Sequence, residues 1–422
     1  MFATLLKALL LLFCLVLVSR LFFLAVIVPW LIRDPHVIKD PAKCRLVIAA
    51  DGSFVGKRNL LSPVKSRALS NTRIQAAFGI HNAFTSGDHD YVVEFVTKAK
   101  EYLNVRAEDW VQRADSLQDA AQVWVEHPNG EIHLASMAQS LTLRFMMLTL
   151  FDTHFRPPHN TNSYLAGFAR AINQAWMFAK EESGLIRFNH NDILRDNITA
   201  FFPAYDFMQG TDNPLNFILP GYETTWRVVI RLFLEIRRAR NQDWIDTMAL
   251  YALEPTKINF LDKTRGGVSV ENLVMEALRL YPPTRRIHRT FHFDNEKKST
   301  VDEVSYSADI EACHLSKKIW GRDALEFNPL RWAHVTNEQS DAFMPFGAAP
   351  FECPAKRVFG PRIIAIVASM MVGEVEERGT WRLVGRDKQS ADEYVKGVRL
   401  DNDRGAYDDL FLYLNDDSEE EY

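Results

Sequence analysis

The sequence predicts a mainly α-helical fold with a small β region. Two segments have helix patterns, a long one from Leu215 to about Arg240 and a shorter one over Val274–Tyr281, and Thr284–Phe293 has the pattern of a strand. The 422 residues are 47% hydrophobic, enough to bury a large core, and no linker rich in Gly, Ser or Pro divides them. One large domain is therefore expected.

The N-terminus has the pattern of a membrane anchor. Ala8–Ile32 is apolar and long enough to span a bilayer, although Arg20 divides it. No small-residue cleavage site follows, which favours an uncleaved anchor over residues 1–33. More basic residues follow the segment than precede it, so we expect the rest of the chain to face the cytosol. That rest is divided into a domain over 34–415 and an acidic, solvated tail over 416–422.

Composition narrows the class of protein. A net charge of −5 gives no reason to expect a nucleic-acid partner. The cysteines have neither paired spacing nor a Cys-x-x-Cys motif, which argues against a disulfide scaffold or zinc knuckle and favours a reducing compartment. They are Cys14, Cys44, Cys313 and Cys353.

The long helix begins after Asp212–Asn213–Pro214, which combines a capping side chain with a proline of the first turn. Near its middle, Pro220 removes a backbone donor and Gly221 lacks a side chain, so a kink is expected there. Glu223 and Thr224 follow, and an acid beside a hydroxyl can order water and relay protons. Taken alone, the run favours a merely irregular helix.

The shorter helix carries an acid and a base one turn apart. Glu276 and Arg279 are spaced i,i+3 and can pair, and the simplest form of such a pair faces solvent. Tyr281–Pro282–Pro283 ends this helix because proline cannot continue it. Downstream, Phe327–Trp332 contains a further arginine, Arg331.

The predicted strand carries three arginines in five residues, Arg285, Arg286 and Arg289, together with His288. Alternate side chains of a strand face opposite sides, so the strand divides these groups between two faces. Both a solvated face and an anion-binding role are consistent with the pattern.

One cysteine stands between a Gly/Ala/Pro loop and a predicted helix start. Pro345–Ala355 contains Cys353, and Pro354 suits the first position of a helix that continues through Phe359 and Met370. The positive end of that helix would favour the thiolate, which is a metal ligand. A buried, inert cysteine is the other interpretation.

Four motifs in this order resemble those of the cytochrome P450 family, the heme-thiolate monooxygenases. They are the Gly221–Thr224 run, the Glu276-x-x-Arg279 pair, the Phe327–Trp332 segment, and the loop with Phe346, Gly347 and Cys353. The resemblance implies a P450-like fold and a heme b whose axial ligand is Cys353, a thiolate that pushes electron density into the O–O bond. It is strongest from about Pro214 to Val372.

The resemblance also implies roles for the motif residues. Gly221 would leave room for O2, and Glu223 and Thr224 would deliver protons. Phe346 and Gly347 would lie at the proximal face of the heme. Three residues would form a buried network that holds the ligand loop: Glu276, Arg279 and Arg331. Arg286 would bind a heme propionate, assisted by Arg289 or His288. Three basic residues beyond the ligand, Lys356, Arg357 and Arg362, would meet an acidic reductase or form a solvated face.

The ligand loop departs from the family pattern. Ala349 and Ala355 stand where glycine is usual, and Phe351 stands where a basic residue usually pairs with a heme propionate. Tyr91–Leu103 contains no Trp-x-x-x-Arg, from which the family takes another propionate contact. Only about Arg33–Arg73 separates the anchor from the substrate-contacting region, so the N-terminal side looks shortened.

The implied activity is insertion of one oxygen atom from O2 into an apolar small molecule, with electrons from an NADPH-dependent reductase. Phe78–Thr85 resembles the pocket-roofing loop of fungal members that act in secondary metabolism on the endoplasmic reticulum, although Phe78 and Phe84 are also typical of a core. Two alternatives remain: a heme-thiolate isomerase or dehydratase that needs no reductase, and a non-catalytic, membrane-tethered remnant. Glu223 and Thr224 argue against the first, and Phe351 favours the second.

Overall fold

The computed structural model describes residues 34–126, 130–151, 161–181, 184–296, 298–385 and 399–414. Helices dominate this part of the chain, as predicted. In chain order they are α1 (Pro41–Ile48), α2 (Pro63–Leu69), α3 (Thr72–Phe78), α4 (His89–Leu103), α5 (Ala107–Val125), α6 (Leu134–Leu150), α7 (Thr161–Lys180), α8 (Asp192–Phe201), α9 (Leu215–Ala239), α10 (Gln242–Leu253), α11 (Lys257–Leu261), α12 (Val270–Leu280), α13 (Ile310–His314), α14 (Lys317–Trp320), α15 (Asn337–Ala342) and α16 (Phe359–Glu377). Short 3-10 helices cover Gly52–Val55, Phe188–His190 and Pro329–Ala333.

Two small sheets form the predicted β region. Their strands are β1 (Val37–Ile38), β2 (Glu131–His133), β3 (Arg286–Asn295), β4 (Thr300–Asp309), β5 (Trp381–Val384) and β6 (Phe411–Leu414). The first sheet has the order β1-β4-β3, in which an antiparallel hairpin pairs Arg286 with Asp309 and β1 runs parallel to β4. The second sheet has the antiparallel order β2-β6-β5 and joins the middle of the chain to its C-terminal part.

Helix α9 passes through the main hydrophobic core and confirms the predicted long helix. It is buried along most of its length and packs against α6 and α16. Asn213 fixes its start, because the side-chain Oδ1 accepts a hydrogen bond from Leu215 N at 2.9 Å. Arg240, with φ of 49°, ends it.

Helix α12 begins one turn earlier than its apolar pattern indicated. Ser269 Oγ accepts from Asn272 N at 3.2 Å, and Asn272 Oδ1 accepts from Ser269 N at 3.3 Å. This capping box satisfies two backbone donors of the first turn. The helix ends at Tyr281, before Pro282, as the prolines predicted.

Helix α16 begins at Phe359, and the prediction that it begins at Pro354 is wrong. Turns fill the interval: Lys356 N donates to Cys353 O at 3.2 Å, and Gly360 N donates to Ala355 O at 2.8 Å. These bonds replace the regular helical ladder over the first residues after the cysteine. Cys353 therefore lies ahead of the helix and not at its positive end.

Across the described ranges, no helix is both long enough and apolar enough to cross a membrane. The predicted anchor, residues 1–33, and the predicted acidic tail, residues 416–422, lie outside those ranges.

Candidate active site

The loop between α15 and α16 presents Cys353. The backbone N–H of Cys353 donates to Phe346 O at 2.9 Å, and Gly347 N donates to Met344 O at 3.0 Å, so the loop closes on itself. Gly347 has φ of 72°, in the left-handed region that glycine adopts without strain. The local bonds of this loop, rather than the adjoining helix, hold the cysteine in position.

Phe346 joins the loop to the beginning of α16. A Cβ atom on Gly360 would lie 2.7 Å from Cε1 of Phe346 and 3.0 Å from the Ala355 carbonyl oxygen. Both distances are shorter than ordinary van der Waals contact. The absence of a side chain at Gly360 therefore allows the ring and the loop backbone to lie directly against the helix.

The thiol of Cys353 is not a thiolate by virtue of its surroundings alone. Burial raises its pKa above the ordinary value, and the backbone N–H of Ala355 only partly opposes that rise. The expectation that a helix terminus would make the sulfur anionic is wrong, because the helix starts further along the chain. A bound metal cation would deprotonate a coordinating thiol outright.

Behind the loop lies the predicted network of buried charges. Arg279 holds Glu276 with two bonds, Nε to Oε2 at 2.9 Å and Nη2 to Oε1 at 2.8 Å. Arg331 Nε donates to the same carboxylate at 2.9 Å. Trp332 Nε1 and Asn328 N donate to it as well, each at 3.0 Å. Glu276 is completely buried, and these donors replace its water.

His314 connects this network to the ligand loop. Its Nε2 accepts a hydrogen bond from Met344 N at 2.8 Å, and its Nδ1 faces the carbonyl oxygen of Arg279 at 3.1 Å. The proton must lie on Nδ1, because a carbonyl cannot donate. Burial and the nearby Arg279 charge lower the pKa of His314 to about 3, so the ring is neutral. Its carbonyl also accepts from Arg279 Nη1 at 2.9 Å.

Sequence reasoning missed His314. Its partners Arg279 and Met344 lie 35 and 30 residues away in the chain, so no local spacing marks it. No pattern in the sequence marks this ring, which the structure buries completely.

In helix α9, Pro220 leaves one backbone carbonyl without its helical donor, and a side chain from another segment bonds to it instead. Proline has no N–H to donate to the carbonyl of Asn216, one turn earlier. Asn82 Nδ2 donates to that oxygen at 3.2 Å, and His81 N donates to the Asn216 side chain at 2.8 Å. The Asn216 amide in turn donates to Gly210 O at 2.7 Å. The segment predicted to roof the pocket is thus tied to α9.

Gly221 has a packing role in this structure. A Cβ atom there would lie 2.2 Å from Cε of Met146, so the glycine admits close packing of α6 against α9. The Met146 side chain fills the space beside Gly221, so this contact does not support the predicted room for O2. Thr224 lies one turn further on, where its hydroxyl donates to Pro220 O at 3.1 Å and remains partly exposed.

Glu223 is buried and held by Arg404, a residue that sequence reasoning did not identify. Arg404 Nη1 donates to Glu223 Oε2 and, at 3.0 Å, to Asn173 Oδ1, and its guanidinium lies over the ring of Trp176. The second oxygen, Glu223 Oε1, is buried without a hydrogen-bond partner among the described residues. The pair joins α9 to residues 181 positions later, a separation that carries no sequence signal.

Comparison with known proteins connects this site to a family. The sequence model of the cytochrome P450 family matches residues 269–358, which contain the whole Glu276 network and the Cys353 loop. This part of the chain is similar to the cytochrome P450 family. Among its relatives are a cytokinin hydroxylase of Arabidopsis thaliana, 27% identical over 39% of this chain and 32% of its own length, and an echinocystic acid 23-monooxygenase of Saponaria officinalis, 28% identical over 40% and 32%. The chain spans about a third of the length of these relatives.

Solved P450 structures share the fold. A P450 of a Thermus strain superposes with a TM-score of 0.52 at 15% identity and covers 82% of both chains. The heme domain of a mutant cytochrome P450DA superposes with a TM-score of 0.56 at 16% identity, over 90% of this chain and 86% of the other. These relatives establish the mainly helical P450 fold. Relatives of this chain come from plants and a nematode, so the likeness to fungal P450 enzymes stays a prediction.

The two candidate propionate arginines of this chain differ in environment. Arg286 is about half exposed, and its Nε lies 3.4 Å from Asp309 Oδ2. Arg289 is buried, and its Nε and Nη1 donate to the carbonyl oxygens of Ile48 at 3.0 Å and His288 at 2.8 Å. The Arg289 guanidinium lies 5.1 Å from the ring centroid of Phe351 in the ligand loop. The structure therefore favours Arg289 over Arg286 beside the loop.

The basic residues beyond Cys353 do not form one free patch. Arg362 is buried and donates to Tyr251 Oη at 3.3 Å and to the Pro255 carbonyl, so its predicted contact with a reductase is wrong. Lys356 pairs with Glu352 at 2.6 Å, and only Arg357 stays exposed without a partner among the contacts described.

The match of residues 269–358 to the P450 family implies a heme-thiolate cofactor, and the residues of the structure fit one. Nowhere in the described ranges do three His, Cys, Asp or Glu side chains come together to hold a bare metal ion. Cys353 alone would suit an iron whose other ligands a porphyrin supplies. Arg289, a buried cation bonded to neutral carbonyl groups, suits a propionate.

The contact between Gly360 and Phe346 generates the first prediction. Replacing Gly360 with Ala forces the ring or the loop to shift, and overpacking of this kind costs about 1–3 kcal/mol. The matched control is Gly373→Ala in the same helix, where the nearest atom to the new Cβ is Ala252 Cβ at 3.7 Å. We expect thermal unfolding to show a lower Tm for Gly360→Ala only. Equal Tm values for the two variants would contradict the close approach.

His314 predicts acid sensitivity. Its pKa is lowered to about 3 in the folded protein and is near 6.5 when unfolded, so the unfolded chain takes up the proton first. The stability that His314 contributes is full above pH 6.5 and falls by about 1.4 kcal/mol per pH unit below it. Urea denaturation at pH 7, 6 and 5 should show the advantage of wild type over His314→Gln shrinking with acidity. A constant difference would rule out a neutral, buried ring.

The pair of Glu223 and Arg404 predicts strong non-additivity. Arg404→Met leaves a buried carboxylate without its cation, which costs about 3–5 kcal/mol. The double variant Glu223→Gln/Arg404→Met removes both charges and should be more stable than Arg404→Met alone. Free energies of unfolding for the four proteins complete a double-mutant cycle. Additive losses would mean that the two side chains act independently.

Proposed function

We propose that this protein is a heme-thiolate monooxygenase that inserts one oxygen atom from O2 into an apolar small molecule. One observation carries the proposal: the buried network around Glu276 reaches the loop of Cys353 through His314. A buried ion network adds little net stability compared with apolar packing, so its value lies in the fixed geometry that it imposes. Here that geometry is the position of a single thiol.

Each part of the site has a separate task in this proposal. When bound, heme with an axial thiolate supplies O2 binding and cleavage of the O–O bond. Cys353 Sγ would hold the iron, and Phe346, packed at the loop end of α16, would exclude water from that side. Thr224 Oγ1, bonded only to helix carbonyls, can exchange that bond for one to water on the distal side.

Glu223 is the proton source in this scheme. Its Oε1 is buried without a partner in the part of the chain that the structure describes, while Oε2 is bonded to Arg404. The cation keeps the carboxylate in place, and the free oxygen can accept a proton from solvent and pass it on. Arg404 would act as a positioning residue for Glu223.

The substrate class rests on the relatives and on one aromatic side chain. Relatives named as a cytokinin hydroxylase and an echinocystic acid 23-monooxygenase act on small molecules. In the segment Phe78–Thr85, Phe78 is fully buried in the core, whereas Phe84 is 42% exposed and can meet an apolar substrate. A place in secondary metabolism is supported only by the resemblance of this segment to fungal members.

An NADPH-dependent reductase and a membrane complete the proposed setting. Arg357 offers positive charge near the cysteine for an acidic partner. Lys356 adds to it, although it also pairs with Glu352. The apolar stretch Ala8–Ile32 supports a single-pass anchor, with the domain on the cytosolic side of the endoplasmic reticulum.

A second candidate is a heme-thiolate isomerase or dehydratase that needs no reductase. Two observations favour it: Met146 fills the side of Gly221, and Arg404 restrains the acid Glu223. An enzyme without reductive O2 activation would need neither space for O2 nor a mobile proton relay.

The carbon monoxide difference spectrum of the reduced, full-length protein tests the proposal. We expect a red-shifted Soret band in wild type and its loss in Cys353→Ala, because only the thiolate ligand produces the shift. Cys44→Ala is the matched control, since that buried cysteine lies in α1, where its thiol donates to the carbonyl oxygen of Ile38 at 3.2 Å. Well-folded protein without a heme band would leave the non-catalytic remnant as the explanation.

Consumption of O2 then separates the two enzyme classes. Wild type with NADPH and a reductase should consume O2, and Thr224→Ala should divert more of it to hydrogen peroxide. A protein with the thiolate band but no reductase-dependent O2 consumption would favour the isomerase or dehydratase.

A further inference from the structure

Two buried arginines lie against the ring of Phe351. The Arg67 guanidinium carbon is 4.1 Å from the centroid of the Phe351 ring, and that of Arg289 is 5.1 Å from it. Phe351 stands two residues before Cys353, where the family resemblance leads one to expect a basic side chain. The loop has no cation at this position, but Arg67 of α2 and Arg289 of β3 lie beside it.

Arg67 is a cation without an acceptor. It is 6% exposed, and its Nε and Nη2 are buried with no hydrogen-bond partner among the described residues. Its surroundings are aromatic, since the Phe84 ring centroid also lies 5.6 Å from the guanidinium carbon. Stripping a guanidinium of water without an anion costs several kcal/mol. A position that keeps such a group suits an anionic ligand.

The neighbouring Arg289 adds a second buried positive charge that has no anionic partner among the described residues. Its bonds go to the neutral carbonyl groups of Ile48 and His288, and burial, together with the nearby positive charge of Arg67, lowers the pKa of Arg289. Neither arginine forms an ion pair within the described part of the chain. Two like charges that share a buried site repel each other until an anion enters between them.

The usual second cation is also missing on this side. Helix α4 has no arginine, and its Lys98 ammonium points to the rings of Tyr102 and Phe217, at 6.0 and 5.7 Å. Phe351 itself packs on an apolar cluster that includes Val64 of α2 and Val92 of α4. Arg67 and Arg289 are therefore the buried cations that the described structure places beside Phe351.

We propose that Arg67, with Arg289, binds a propionate carboxylate of heme and so replaces the basic residue that Phe351 displaced. The proposal rests on the heme-thiolate function above. Arg67 presents Nε and Nη2, two donors in the planar fork that matches a carboxylate. Phe351 packs against both guanidinium groups and shields them from water.

Heme loss to excess apomyoglobin measures this contact. A charge-assisted bond is worth enough that Arg67→Met should lose heme roughly 10- to 100-fold faster than wild type. The CO band of the heme still bound should keep its thiolate position, since Cys353 is untouched. Arg58→Met, at an exposed arginine of the same region, is the matched control and should lose heme at the wild-type rate.

Heme dimethyl ester, in which both propionates are neutral, separates a propionate contact from general loosening. Wild type should lose the ester faster than heme, and in Arg67→Met this difference should shrink. The double variant Arg67→Met/Phe351→Arg returns the cation to the loop and should regain slow heme loss. The ester comparison in wild type needs no variant, and Arg67→Lys keeps the charge if Arg67→Met does not fold.

Three results would overturn the inference. An unchanged ratio of ester to heme loss in Arg67→Met means that Arg67 does not touch a propionate. Weaker binding of dodecanoate with that ratio unchanged would assign Arg67 to a carboxylate on the substrate. Wild type without a thiolate band would overturn the proposed function, and this inference with it, whereas the first two results leave that function standing.

Discussion

The burial of one carboxylate, Glu276, is the constraint on which the structure around the ligand depends. A carboxylate with no solvent contact requires a donor for every lone pair, and removal of one partner leaves an uncompensated charge that costs about 3–5 kcal/mol. Its donors come from α12 and from the segment Asn328–Trp332. These segments can dock in only one arrangement, because any other leaves the charge bare. The position from which the chain continues toward the ligand loop is therefore fixed.

That fixed point reaches Cys353 through two contacts of different kinds. His314 carries a hydrogen-bond link from Arg279 to Met344, at the beginning of the ligand loop. Phe346 carries a packing link from the same loop to the bare face of Gly360. The thiol between them is protonated by preference, since burial raises its pKa. The protein therefore supplies the position of the ligand, and the metal supplies its charge.

Local patterns in the sequence predicted the local parts of this site. The i,i+3 spacing of Glu276 and Arg279, the proline stop after Tyr281 and the bounds of α9 depend on neighbours within a few residues, and the structure agrees. Pro354 misled because a proline suits a turn as well as a first helical turn. Arg286 and Arg289 could not be ranked, because the sequence does not say which face of β3 is covered. His314, Arg404 and Arg67 gain their roles from partners far along the chain, so no spacing rule finds them.

The amide of Asn216 limits where the segments beside the start of α9 can vary in sequence. It accepts from His81 and donates to Gly210, while its backbone carbonyl, released by Pro220, accepts from Asn82. The Asn216 side chain thereby fixes two segments, one at His81 and one at Gly210, to helix α9. Side chains at the crest of the first segment, around the exposed Phe84, can therefore be exchanged without breaking these hydrogen bonds.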